Sequence, residues 1–169
     1  MTPLPHRIAT LLYCFNEADD VLLLRRAKEP NRGLWSPPGG KLEAALGESP
    51  HSCAAREASE ELGIRCDPPD FRLTGIVTER GYEGTAHWLM FLFELRFRLQ
   101  ALPKPHEEGE FGFHRRDALD ALLMPRTDRE RIWPLFWDHR GGFFAAHCRC
   151  VPGLPDAWTL LESRKEADA

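Results

Sequence analysis

The sequence predicts a mixed α/β domain, and three observations carry that expectation. Short apolar runs alternate with turn signals along the chain. The segment from Ser49 to Gly63 has the start, stop and periodicity of a helix. The 169 residues, 43% hydrophobic and 28% charged, suffice for one sizeable core, so residues 1–169 read as a single domain with a frayed polar tail at 163–169.

Taken in order, Arg7–Phe15 and Val21–Arg26 are apolar runs around the turn Asn16–Asp20, which predicts a hairpin. Leu34–Pro38 leads into Gly39-Gly40 and the helix. Phe71–Thr78 and His87–Leu99 are the strongest later strands, joined through Gly81-Tyr82-Glu83-Gly84. Ala101–Gly109, with two prolines, reads as a loop, followed by a short strand at Phe111–Phe113 and a short helix near Asp117–Leu123. Thr127-Asp128 reads as the cap of a second helix through Trp137, which Gly141-Gly142 ends. Phe143–Val151 and Trp158–Leu161 are expected late strands.

Composition excludes some classes of function. A formal charge of −4 offers no basic surface for a nucleic-acid backbone, so no nucleic-acid polymer is expected as a partner. The N-terminal Met-Thr-Pro-Leu-Pro-His-Arg lacks the apolar run of a signal peptide, and no stretch approaches about 20 apolar residues, so no membrane partner is expected. Five cysteines with no Cys-x-x-Cys pair suit a reducing, cytoplasmic compartment. Cys148 and Cys150 share one face of a strand; two thiolates could begin a zinc site, but no second pair accompanies them, so they read as small core residues. Oligomeric state has no signature in the sequence.

The first helix carries the chemistry. Ser49 offers a capping oxygen, Pro50 suits the first turn, and Gly63 enters the left-handed conformation cheaply. At about 100° per residue, Ala54, Ala55, Ala58 and Leu62 form one apolar arc, while Glu57, Glu60 and Glu61 form an acidic one. Three like charges so placed raise one another's pKa and favour a hard, oxygen-seeking cation such as Mg²⁺ or Mn²⁺. Arg56 is placed to pair with Glu48 or Glu60 and hold the cluster. The alternative is a solvated acidic helix face.

These residues resemble the signature of the Nudix hydrolases: a glycine, a spaced glutamate, then Arg-Glu-x-x-Glu-Glu-x-Gly and an aliphatic residue. The second half is complete as Arg56-Glu57-Ala58-Ser59-Glu60-Glu61-Leu62-Gly63-Ile64, with Glu48 at its usual distance before Arg56. Gly40 and Glu48 stand two residues further apart than is usual in the family, an insertion within Lys41–Gly47 that leaves the helix ligands intact. The resemblance implies an α/β/α sandwich with a mixed sheet. It also implies a Mg²⁺-dependent enzyme, with Mn²⁺ as the substitute, that hydrolyses a diphosphate linkage in a small nucleotide substrate. Glu57, Glu60, Glu61 and the Gly40 carbonyl are the implied metal ligands, Glu48 and Arg56 the orienting pair, and either Glu57 or Glu60 the general base.

Beyond the signature, Glu107, Glu108 and Glu110 lie in a later loop; Glu108, five residues before Phe113, has a spacing similar to that of a catalytic glutamate in MutT-type enzymes. The alternative is an acidic surface loop. Trp35, just before the signature, is placed to stack on a base. Asp128 through Phe144 resembles the C-terminal portion of MutT-type enzymes that hydrolyse oxidised purine nucleoside triphosphates, which implies that Asp128 reads the base edge and Trp133 walls its pocket. The bland readings are a capping aspartate and a core tryptophan. Tyr82 lies near a tyrosine of the diadenosine polyphosphate hydrolases, which keeps those compounds and ADP-ribose-like nucleotides open as substrates. A non-catalytic nucleotide sensor is the alternative of another class, disfavoured because all four signature glutamates are retained.

Overall fold

A computed structural model describes residues 3–29, 31–150 and 153–166. Among the described residues, eight strands form two sheets. β1 (His6–Tyr13), β4 (Phe71–Tyr82), β5 (Ala86–Leu95), β7 (Phe143–Arg149) and β8 (Ala157–Arg164) make a mixed sheet in the order β1-β5-β4-β7-β8. Its β1–β5 and β4–β7 pairs are parallel and its β4–β5 and β7–β8 pairs antiparallel. β2 (Val21–Arg26) pairs antiparallel with both β3 (Trp35–Ser36) and β6 (Gly109–His114) in a second sheet. The expected hairpin of the first two strands is therefore corrected. The Asn16 side-chain oxygen closes the turn by accepting from the Ala18 and Asp20 N–H groups, but only Phe15 and Val21 bridge before the strands part into different sheets.

Side chains alternate across a strand, and here both faces are covered. Leu12, Leu22, Leu24, Phe93 and Leu95 join Ala54, Ala55, Ala58 and Leu62 of the signature helix in one core. Tyr13, Phe15, Val21, Leu23 and Leu92 join Ile132, Trp133 and Phe136 in the other. This is the α/β/α layering with a mixed sheet. It explains why β1, β2 and β5 read as nearly continuous apolar runs rather than half-polar ones.

β4 breaks the alternation. Phe71 and Leu73 face the first core, yet Val77, also odd-numbered, faces the second. A register shift between Leu73 and Gly75 accounts for the change of phase, since one extra residue turns the side chains beyond it to the opposite face.

α1 (Pro50–Glu57) starts where the sequence predicts, with the Ser49 hydroxyl accepting from the Ser52 N–H at 3.1 Å. It widens into a π-helical stretch, Ala58–Leu62, and stops at Gly63 with φ 64°. The second helical segment differs at its start. Thr127 is itself helical and makes no capping hydrogen bond; a π-helical stretch, Asp128–Ile132, then runs directly into α2 (Trp133–Asp138). The expected short helix is the 3₁₀ segment Arg116–Ala121. Ser163 and Arg164, expected to fray, belong to β8, and the Ser163 hydroxyl bonds His139 Nε2 at 2.7 Å. Residues 167–169 of the expected tail lie outside the described residues.

Candidate metal and nucleotide site

The loop before α1 and the helix itself close on each other. Gly39 has φ 136°, and a Cβ there would stand 2.2 Å from the Thr10 carbonyl oxygen, so only glycine permits this approach of loop to β1. The residues Lys41–Gly47 that lengthen the loop are taken up by a 3₁₀ turn, Ala44–Leu46, ended by Gly47 at φ 70°. The Glu43 N–H then donates to Glu48 Oε2 at 2.8 Å, tying the loop to the helix-borne cluster.

Arg56 organises the carboxylates. Its Nε and Nη2 hold both oxygens of Glu48 at 2.8 and 3.0 Å, and its Nη1 reaches Glu57 at 2.7 Å and Glu60 at 3.1 Å. Nη2 also donates to the Lys41 carbonyl at 3.1 Å. The two-pronged grip on Glu48 is the geometry for which a planar guanidinium is suited and a lysine is not. Those hydrogen bonds hold the Glu48 carboxyl down at about 2.

The π-helical widening alters the acidic face that simple helical spacing predicts. Glu57 is buried, Glu61 is half-buried with Oε2 accepting the Gly39 N–H at 2.8 Å, and Glu60 is exposed. Burial raises the Glu57 carboxyl against the opposing pull of Arg56. Burial likewise pushes Glu61 up to about 7, with the charges of Glu57 and Glu108 adding to it. The three carboxylates on the Arg56 guanidinium, Glu48, Glu57 and Glu60, carry more negative charge than it can neutralise.

The donor set is entirely oxygen, and the inward-turned Glu57 and Glu61 are the ones penalised for ionising. A hard divalent cation fits that chemistry. A Cβ on Gly40 would stand 2.3 Å from Glu57 Oε1, so the glycine keeps open the space this carboxylate occupies. The Gly40 carbonyl accepts the Thr10 N–H at 2.8 Å and, weakly, the Cys53 thiol at 3.9 Å, so a cation there would take the place of the thiol contact.

Glu108 lies close enough to Glu61 to influence its charge, while its own carboxylate is held by Lys28 at 2.9 Å. Glu107 shares Lys28 at 3.2 Å, and Glu110 pairs with Arg25 at 3.2 Å on the exposed edge of β6.

A second group of residues converges elsewhere. Tyr82, Asn31, Thr127, Arg126, Cys150 and Asp156 line a cavity of about 340 Å³. The Tyr82 phenol bonds the Asn31 side chain and is pushed up to about 12, chiefly by burial. Asp128, next to Thr127, is pushed up to about 7 by burial and adds to the rise at Tyr82. The structure thus brings Asp128 and Tyr82 together, and it does not bring the two tryptophans to them. The Trp35 ring stands edge-on to His114 at 4.5 Å. Trp133, expected to wall the pocket, is corrected to a core residue: it is 3% exposed and packs against Tyr13, Phe136 and Trp137.

Sequence reasoning missed Glu79 and Asn31. Glu79 is 5% exposed and pushed up to about 8 by burial, then by Asp128 and Asp156. No pattern announces it, because the β4 register shift decides which face it occupies. Asn31 has φ 65° in a tight turn, for which the neighbouring Pro-Asn-Arg-Gly sequence was the available signal.

Two outcomes follow from this geometry. Gly40→Ala is expected to fold, because the obstructing atom is the mobile end of Glu57, but to weaken divalent-cation binding about 10-fold or more by displacing that carboxylate. Calorimetric titration with Mg²⁺ checks it, and unchanged affinity would contradict the placement. Glu48, held at about 2 against an ordinary 4.5, contributes stability that is fully present above pH 4.5 and lost as pH falls towards 2. In denaturant titrations across that range, Glu48→Gln is expected to show a shallower loss of stability than the unaltered chain. Equal acid slopes would contradict the ion pair.

Comparison with known proteins agrees with this fold and helix. The NUDIX domain family matches residues 5–136. The Nudix hydrolase YvcI of Bacillus subtilis, itself uncharacterized, is 33% identical over 118 residues, covering 68% of this chain and 71% of YvcI. Human NUDT18, an 8-oxo-dGDP phosphatase, is 37% identical over 112 residues, which span 66% of this chain but only 30% of NUDT18. Among solved structures, the MutT protein of Bacillus halodurans superimposes with a TM-score of 0.69 at 26% identity, covering 92% of this chain and 97% of that one. The MutT protein of Methanosarcina mazei gives 0.68 at 26% identity over 80% and 96% of the two chains. Nudix hydrolases generally use divalent metal ions, and the oxygen donors around Arg56 fit such a cation. The chain belongs to the NUDIX family and is a Nudix-type pyrophosphohydrolase.

Proposed function

We propose that the chain is one Nudix hydrolase domain that cleaves a phosphoanhydride of an oxidised purine nucleoside triphosphate. Water is consumed, and the nucleoside monophosphate and pyrophosphate are released. The observation that carries this reading is the pairing of an intact Arg56-centred glutamate cluster with a separate cavity lined by Tyr82 and Thr127, behind which the buried Asp128 acts on the Tyr82 phenol. A diphosphate resists attack because its negative charge repels nucleophiles. Mg²⁺ or Mn²⁺ held by the glutamate cluster would supply charge neutralisation at its oxygens and a lowered pKa for the attacking water.

The residues of the chain supply the rest. Glu57, Glu61 and Glu60, with the Gly40 carbonyl, would hold the cation, and Glu48 fixes Arg56. Glu60, exposed on the open side of the helix, and Glu57 are the two helix-borne carboxylates able to take the proton of the water. Glu108 would act beside Glu61 once released from Lys28. At the other end of the substrate, a protonated Asp128 donates a hydrogen bond to a base edge while Tyr82 flanks it. Trp35, edge-on to His114, is left as a wall of the approach rather than a stacking platform.

The likeness to NUDT18 favours a second reading, cleavage of the corresponding nucleoside diphosphate to monophosphate and phosphate. Five free cysteines suit a reducing compartment, and the cytoplasm is proposed on that basis. No helix among the described residues is long and apolar enough to cross a membrane.

Purified protein with Mg²⁺ and a panel of oxidised and ordinary purine tri- and diphosphates, diadenosine polyphosphates and ADP-ribose tests the assignment. Monophosphate plus pyrophosphate from an oxidised purine triphosphate is the expected product pair, and Glu60→Gln is expected to lower turnover about 100-fold or more while leaving the fold intact. Cleavage confined to ADP-ribose or diadenosine compounds would overturn the substrate, and tight binding with no product would indicate a sensor.

A further inference from the structure

At the far end of the mixed sheet from the signature helix, four acidic or thiol groups converge without a cation sufficient to balance them. Cys148 of β7 and Cys150, the residue just past its end, stand with their sulfurs 3.2 Å apart. The Asp156 carboxylate approaches so that one donor atom from each of these three residues lies within 4.8 Å of the other two. Glu79 is the direct neighbour of Cys148 across the β4–β7 pairing, and the change of phase in β4 puts it on the same face as Cys148. Glu79 is 5% exposed as a residue, and no hydrogen bond or ion pair of its carboxylate is found among the described residues. Arg126 donates to Asp156 Oδ2 at 2.7 Å, which orients that carboxylate and neutralises one of the four groups.

A buried carboxyl beside two buried thiols is costly as an apolar core and unexplained as an ion pair. Hydrophobic packing alone would be served better by valine and alanine. Two thiols and a carboxylate are, by contrast, the donors a borderline-soft, four-coordinate cation prefers over Mg²⁺. With metal–sulfur bonds of about 2.3 Å in a tetrahedron, the sulfurs would spread to roughly 3.8 Å, a small side-chain adjustment from their present separation. Cys150 and Asp156 both line the 340 Å³ cavity, so the fourth position faces a space that admits water or the Glu79 carboxylate.

We propose that Cys148, Cys150 and Asp156 form a second metal site, of the zinc class, separate from the glutamate cluster on the signature helix. Loading it releases the two thiol protons and binds both sulfurs as thiolates, with no change of oxidation state. The bound cation would compensate Glu79 and tie the Asp156 segment to β7 beside Tyr82. The site does not depend on which nucleotide the enzyme cleaves.

Cobalt distinguishes the two sites, because only thiolate ligation gives sulfur-to-metal charge transfer in the near ultraviolet. Metal-stripped full-length protein, kept reduced, is titrated with Co²⁺. The expected result is one equivalent giving the charge-transfer band, displaced by one equivalent of Zn²⁺, and retained in a Glu57→Gln, Glu60→Gln double variant. Cys148→Ala and Cys150→Ala should each abolish the band. Asp156→Asn, which leaves the buried sulfurs in place, should weaken Co²⁺ binding about 10-fold or more while circular dichroism remains unchanged. Absence of the band in the folded protein, or its persistence in both cysteine variants, would overturn the proposal.

Discussion

The structure depends on how one arginine divides its hydrogen bonds among three carboxylates. Arg56 grips Glu48 with two nitrogens and spares one nitrogen for Glu57 and Glu60. Glu48 is thereby fully ionised and spent on structure, and through the Glu43 N–H it also anchors the lengthened loop. Glu57, buried at the end of α1, and Glu61, half-buried in the π-helical stretch, carry carboxyls whose ionisation burial penalises. Removing Arg56 would leave Glu48 with only the Glu43 N–H and the buried Glu57 without its ion-pair partner, which destabilises the cluster. The arginine is thus the reason a cluster that should repel itself can be preassembled for a cation.

Sheet geometry separates the tasks. The loop at Gly39 and Gly40 packs against β1 and meets the helix-borne carboxylates on one side of the sheet. The register shift in β4 sends the second half of that strand to the opposite side, where Glu79 and the strand-end residue Tyr82 meet the start of the second helical segment. A single bulge therefore lets one strand serve two cores. It also supplies an acidic group to a region that straightforward alternation would have given to the signature helix.

Legibility in the sequence followed the range of the interactions. The capped helix, its apolar arc and its glutamates are local features, and Ser49, Gly63, Ala54 and Leu62 stand where spacing predicts. The Arg56–Glu48 pair was readable because both residues flank the same helix. The parting of β1 and β2 was not, since a turn signal fixes the reversal of the chain but not which sheet each strand enters. Trp133 shows the limit for aromatic residues: a tryptophan near an acidic helix start looks the same in sequence whether it walls a pocket or fills a core. Glu79 was hidden for a sharper reason, because its face is set by a shift five residues upstream.

The central claim is that the inward-turned Glu57 forms part of a divalent-cation site preassembled by Arg56. The most direct measurement is a water-proton relaxation titration of the full chain with Mn²⁺, in competition with Mg²⁺. The expected result is saturable Mn²⁺ binding that Mg²⁺ displaces, weakened about 10-fold or more in Glu57→Gln and unchanged in Glu110→Gln. Mn²⁺ binding to folded Glu57→Gln as tight as to the unaltered chain would contradict it.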